Sequence, residues 1–113
     1  MSHEKFKSCI EKCFDCAVMC NHCANACLSE KEVAVLTECI RLNHECAEIC
    51  LFAVDAMSRG SEFSDKICRL CAEICDECAR ECGKHDHMEH CRKCAEACRA
   101  CADDCRSMFI IAV

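Results

Sequence analysis

Buried-type positions recur along this chain at alternating steps of three and four, and most of them are cysteine. Cys9, Cys13, Cys16, Cys20, Cys23 and Cys27 step by 4, 3, 4, 3 and 4. Cys68, Cys71, Cys75, Cys78 and Cys82 step by 3, 4, 3 and 4, and so do Cys91, Cys94, Cys98, Cys101 and Cys105. Residues three or four apart share one face of a helix, so this alternation is the a/d seam of a helical bundle. A strand needs a period of two, and a zinc ribbon breaks its cysteine pairs with glycine-rich knuckles; neither pattern is present. The same phase runs in diluted form through Leu36, Cys39, Asn43, Cys46, Cys50, Ala53 and Met57. Off the seam stand Arg69, Glu73, Asp76, Arg80, Arg92, Glu96, Arg99 and Asp103, as residues facing water do.

The pattern predicts four helices, near residues 3–28, 30–58, 62–82 and 87–108, in a single domain over residues 1–113. Ser29 with Glu32 reads as a capping box opening the second helix, and Asp86 with Glu89 as one opening the fourth. Gly60 and Gly83 stand where the second and third helices should end, as C′ residues. Short connections make neighbouring helices antiparallel, so the predicted fold is all-α, an up-down-up-down four-helix bundle with a cysteine-lined core. The longest helices would span about 40 Å at a rise of ~1.5 Å per residue. The last two cysteine segments, CRLCAEICDECAREC and CRKCAEACRACADDC, repeat each other, which reads as a duplicated metal-binding helix.

Antiparallel order also fixes which residues share an end. The turns after the first and third helices lie together, bringing Cys27 near Gly83, Lys84, His85, Asp86, His87, Met88, Glu89 and His90. The opposite end collects Phe6, Ile10, Phe52, Met57, Phe63, Met108 and Phe109. One end is rich in histidine and the other is greasy.

Composition turns this pattern into chemistry. Cysteine accounts for 19 of 113 residues, with no Trp, Tyr or Pro. Leu, Ile, Val and Phe together stand near the ~20% level below which chains tend not to fold, so cysteine has to form much of the interior. A net charge of −6 argues against a general nucleic-acid surface. No apolar run reaches the ~18 residues of a membrane span, and the stretch from Met1 to Lys7 has no secretory apolar segment. The expected location is therefore a reducing cytoplasm, where thiols remain thiols and dense cysteine points to metal.

Adjacent seam cysteines have Cβ atoms ~5–6 Å apart. A metal–thiolate bond of ~2.3 Å lets one ion bridge two such sulfurs without bending the helix. Soft thiolates select Cu(I), zinc or iron–sulfur clusters. Cu(I) replaces a thiol proton without changing the charge of the core, whereas zinc on four thiolates leaves an excess of two negative charges in a medium of low dielectric. Iron–sulfur clusters commonly use loop motifs with a proline, absent here. Cu(I) fits best, at on the order of one ion per thiol if each thiolate is shared. The rivals are zinc or heavy-metal detoxification and a redox protein using iron–sulfur clusters or reversible disulfides. Cysteines packed on helices without a base partner or a helix terminus make poor nucleophiles, so no enzyme is expected.

Other residues divide by position. His85, His87, Met88 and His90 are candidates for the place where metal enters, with His87 extrapolating to an inward d position. Asn43 interrupts the cysteines at an a position, where it sets helix register or offers an oxygen ligand. His22 and His44 fall on outward positions, and Met57 and Met108 read as packing at the greasy end. Phe14, Val18, Met19, Leu28, Leu42, Ile49 and Leu51 lie off the seam of the first two helices, which predicts a homo-oligomer built through them.

The cysteine stripes, the C-x3-C-x2-C-x3-C run of the first helix, and the turn Gly83-Lys84-His85-Asp86-His87 ahead of Cys91 resemble the cytosolic copper storage proteins of bacteria. The resemblance covers nearly the whole chain. It implies a four-helix bundle assembled as a tetramer, with many Cu(I) ions held by the cysteines from Cys9 to Cys105. It further implies that copper enters at the end bearing His85, His87 and His90, and a copper chaperone or acceptor is the expected partner. The second helix, with Cys39, Cys46 and Cys50 alone, makes a sparser wall than the others.

Overall fold

The computed structural model describes residues 6–112, with side chains described as far as Met108. Four α-helices follow one another: α1 (Lys7–Leu28), α2 (Thr37–Ser58), α3 (Ser64–Gly83) and α4 (Glu89–Ala112). A short 3-10 helix, Val33–Leu36, precedes α2. The start of the first helix near residue 3 lies outside the described residues. Each helix packs against two others, α1 and α3 both touching α2 and α4. The result is a four-helix bundle measuring 48 × 20 × 18 Å.

The connections depart from the capping signals in the sequence. Ser29 does not open a helix; its N–H bonds back to the Ala26 carbonyl at 3.1 Å and closes α1. Glu32 precedes the 3-10 helix without a side-chain cap, and α2 begins only at Thr37, well after residue 30. The chain has to cross from one helix axis to the next, and a 3-10 segment rises ~2.0 Å per residue instead of ~1.5 Å. It also delivers Leu36 fully buried onto the seam. Asp86 likewise opens no helix at residue 87. Residues 84–88 form a turn in which the Met88 N–H reaches the His85 carbonyl at 3.0 Å, and α4 starts at Glu89.

The two glycines behave differently. Gly60 has φ 65° and ends α2 in a Schellman arrangement. Its N–H bonds to the Met57 carbonyl at 3.2 Å, and the Ser61 N–H reaches the Ala56 carbonyl at 2.9 Å. Gly83 is instead the last residue of α3, and its cap Lys84 continues right-handed at φ −68°. No left-handed residue is needed there, because the turn is built from successive right-handed ones.

Every cysteine lands in the core: all 19 are buried and free. Buried alanines flank them, among them Ala17, Ala47, Ala72, Ala79, Ala95 and Ala102. Such small neighbours let the helices approach closely enough for thiols from four walls to touch. Leu36 and Met57 are the largest fully buried side chains, so fully buried aliphatic bulk is confined to the ends of the column, while partly buried Ile40, Leu42, Ile49, Ile67 and Ile74 pack along its flanks.

Candidate metal centre

The helical phase that buries the cysteines also brings their sulfurs into one continuous column. At its greasy end the Cys9 sulfur lies 3.5 Å from that of Cys105, which is 3.7 Å from Cys13. Cys101 stands 3.6 Å from Cys13 and 3.9 Å from Cys50, itself 3.7 Å from Cys71. In mid-bundle, Cys46 touches Cys75 at 3.5 Å and Cys16 at 3.8 Å, and Cys98 touches Cys16 and Cys20 at 3.7 and 3.6 Å. Toward the other end come Cys94 on Cys20 at 3.7 Å and Cys39 on Cys82 at 3.1 Å.

Several sets of four donors have all their atoms within 4.8 Å of one another, among them Cys13/Cys71/Cys101/Cys105 and Cys16/Cys46/Cys50/Cys75. Two more, Cys16/Cys20/Cys46/Cys98 and Cys20/Cys78/Cys94/Cys98, share residues, so the sets interlock into a lattice rather than separate cages. Cys68 is equally buried at the greasy end. A trigonal ion with ~2.3 Å bonds places its sulfurs about 4.0 Å apart, close to the contacts in the column.

Asn43 sits fully buried inside this column. Its Oδ1 accepts from the thiols of Cys78 and Cys94 at 3.1 Å and of Cys82 at 3.4 Å, and its Nδ2 donates to the Cys39 sulfur at 3.7 Å. The amide thus ties α2 to α3 and α4, which is a register contact made through thiols.

At the histidine end a nitrogen donor joins the sulfurs. The His90 Nδ1 lies 3.4, 3.6 and 3.9 Å from the sulfurs of Cys23, Cys91 and Cys27, while its Nε2 is 2.8 Å from a Glu30 carboxylate oxygen. Burial alone would depress the His90 pKa, but the Cys23 sulfur and the Glu30 carboxylate outweigh it and hold the value above the ordinary one. Burial raises the Cys27 thiol to about 11, and it also raises Cys91. These thiols therefore keep their protons at neutral pH until something displaces them.

Outside the column a cavity of about 400 Å³ is lined by Ser29, Glu30, Glu32, Leu36, His85, His87 and Met88 among others. His85 is half-buried, its Nε2 3.4 Å from Glu81, and Met88 packs against the core. His87 does not point inward at a d position. It lies exposed in the turn before α4, because that helix starts two residues later than the seam extrapolates. His90, half a turn inside α4, is the histidine that meets the thiols.

His22 and His44 are exposed, and Met57 is buried at the greasy end with Met108 packed beside the core. Phe6 is buried there too, whereas Phe52 and Phe63 remain largely exposed, and the Phe109 side chain lies outside the described ones. Sequence reasoning passed over Glu30 and Glu81, the carboxylates that hold His90 and His85. Pairing the two turns at one end, and then asking which acids of the first face the histidines of the second, would have found Glu30.

No helix among the described residues is long and apolar enough to cross a membrane. Fold and column together define a class: a helical bundle whose interior is a continuous array of soft sulfur donors. The chain belongs to the copper storage protein family, whose model matches residues 2–110. The cysteine-rich protein YhjQ of Bacillus subtilis is 55% identical over 102 residues, spanning 90% of this chain and 94% of that one. The Cu(I)-bound copper storage protein BsCsp3 superposes with a TM-score of 0.88 at 53% identity, over 92% of this chain and 97% of its own. A cytosolic copper storage protein from Streptomyces lividans, loaded with five coppers, superposes with a TM-score of 0.91 at 41% identity, over 96% and 95% of the two chains.

Proposed function

We propose that this protein stores and sequesters Cu(I) in the cytoplasm, many ions per chain, with the 19 cysteines as ligands and with no catalytic role. The observation that carries this reading is the unbroken column of buried thiols, in which neighbouring sulfurs from different helices stand 3.1 to 3.9 Å apart. Each thiolate can serve two ions, so capacity is on the order of one ion per thiol. Exchange of a proton for Cu(I) leaves the core uncharged, which allows many ions to accumulate in one dry interior. Membership of a copper storage family, and the copper-loaded relatives, support the same cargo.

Copper enters at the histidine end, the mouth of the column in this reading, with His85, His87, Met88 and His90 as first contacts, and passes inward from Cys23, Cys27 and Cys91. Asn43 positions the surrounding thiols and is not assigned as a ligand. The bundle assembles as a homo-tetramer through α1 and α2, whose Phe14 and Val18 are 52% and 54% exposed in the single chain. A copper chaperone or acceptor exchanges ions at the mouth.

The test is anaerobic titration of the reduced, metal-free protein with Cu(I) against a competing chelator. Tight uptake should continue toward the thiol count. Saturation after one or two ions would sink the storage reading. Replacing His85, His87 and His90 together should slow loading, and unchanged kinetics would remove their role at the mouth.

A further inference from the structure

The donors at the mouth differ in kind from the rest of the column. Cys23, Cys27 and Cys91 converge with His90, three sulfurs and one imidazole nitrogen, all within 4.8 Å of one another. The three sulfur–sulfur edges are 3.9, 3.8 and 3.9 Å, and the three sulfur–nitrogen edges are 3.4, 3.9 and 3.6 Å. A tetrahedral zinc ion, with bonds of ~2.3 Å to sulfur and ~2.0–2.1 Å to nitrogen, sets those edges at about 3.8 and 3.6 Å. The six observed edges thus enclose a tetrahedral ion with little movement of any side chain.

Two further features separate this set from the all-sulfur sets. First, the Nε2 of His90 lies 2.8 Å from Glu30, so a neutral ring donates there and turns the Nδ1 lone pair toward the sulfurs. A carboxylate behind a ligating histidine is the usual support of a zinc site, fixing tautomer and ring orientation. Second, charge favours the mouth over the interior. Zinc on four thiolates leaves two negative charges, but on three thiolates and a neutral imidazole it leaves one, beside solvent rather than in the dry core. A surface cavity of about 300 Å³, lined by Met19, His22, Glu89, His90 and Lys93 among others, reaches His90 from outside.

We propose that Cys23, Cys27, Cys91 and His90 form a site for one tetrahedral divalent ion, zinc above all, at the mouth of the copper-free protein. The ion takes the three sulfurs as thiolates, their protons leaving to solvent, and the Nδ1 lone pair of the neutral ring, with no change of oxidation state. The ion ties α1 to α4 at the open end of a bundle that is otherwise short of aliphatic packing. The inference rests on reading these three cysteines as metal ligands, as the storage reading does, and adds a different ion at a particular place.

The experiment uses reduced, metal-free full-length protein under anaerobic conditions, with Co²⁺ as the spectroscopic probe and Zn²⁺ as competitor. One Co²⁺ per chain should bind with intense tetrahedral ligand-field bands and sulfur-to-metal charge transfer, and one equivalent of Zn²⁺ should erase them. Glu30→Gln keeps all four donors and should weaken Zn²⁺ binding by about 10–100-fold. His90→Ala should abolish the three-sulfur, one-nitrogen spectrum, whereas His44→Ala, on an exposed face of α2, should leave it unchanged. Helical circular dichroism of each variant reports folding separately. Absence of a tight one-to-one complex overturns the proposal, as does binding of several ions per chain that is indifferent to His90→Ala. Cu(I) capacity is measured on a separate zinc-free sample. Full copper uptake without a Co²⁺ site sinks this inference alone, and failed copper uptake with a Co²⁺ site sinks the storage reading alone.

Discussion

Asn43 shows what a single polar residue does among thiols. A buried amide without partners costs free energy, yet here its oxygen accepts from three thiols and its nitrogen donates to a fourth. The sequence placed it on the seam, but its partners on α3 and α4 could be known only once the helices were side by side. Asn43→Ala would leave those thiols without an acceptor and open a void. We expect the reduced metal-free protein to lose about 1–3 kcal/mol, on the order of 5 °C or more in the midpoint of thermal unfolding followed by circular dichroism. A midpoint within a degree of the parent would show that the amide contributes nothing to holding the walls together. His87 and His90 carry the complementary lesson. Seam extrapolation singled out His87, yet a helix start displaced by two residues put His90 at the thiols and left His87 in the turn.

At the scale of elements, the long periodic stretches were legible and their ends were not. Alternation of three and four over many cysteines leaves no other phase in which the sulfurs can all be buried. A cap, by contrast, depends on a few local bonds that competing turns also satisfy: Ser29 spends its N–H closing α1, and the crossing to α2 is taken by a 3-10 segment. The two glycines make this testable. Gly60 sits at φ 65°, where a side chain is strained, so Gly60→Ala should destabilise by about 1–2 kcal/mol. Gly83 is helical, and a Cβ there would meet nothing within 4 Å. Gly83→Ala should therefore stabilise by about 0.5 kcal/mol through the lost freedom of the unfolded chain. Denaturant midpoints of the two variants moving in the same direction would contradict the assigned helix ends.

For the whole molecule, the metal-free interior is a set of buried thiols, and its stability should follow the protons of those that burial shifts upward. Burial raises Cys27 from 9.0 to about 11 and raises Cys91 further, so above pH 9 the unfolded chain releases protons that the folded one retains. Their contribution is complete below pH 9 and lost as pH climbs through 11 and beyond. Thermal midpoints of the metal-free protein should fall over that interval, while the copper-loaded protein, its thiol protons already displaced, should hold its midpoint. Parallel curves would show that burial does not hold the protons of Cys27 and Cys91 in the empty bundle. At the same scale, the proposed tetramer predicts that Phe14→Glu with Val18→Glu lowers the mass by light scattering at micromolar concentration to that of a monomer, and a mass unchanged from the parent's tetramer would move the interface off α1. The ions that bind such a column follow from the chemistry of sulfur, and sulfur is written in the chain. The helices, the inward face and the soft donor type were already legible in the chain, because each follows from a period and a residue type that local geometry reads directly. Tertiary structure alone decided which donors meet: the bonds of Asn43, the pairing of Glu30 with His90, and the three-sulfur, one-nitrogen set at the mouth. Those depend on helix ends and on the register between helices, where shifts of one or two residues move an atom by several ångströms and no periodicity records them.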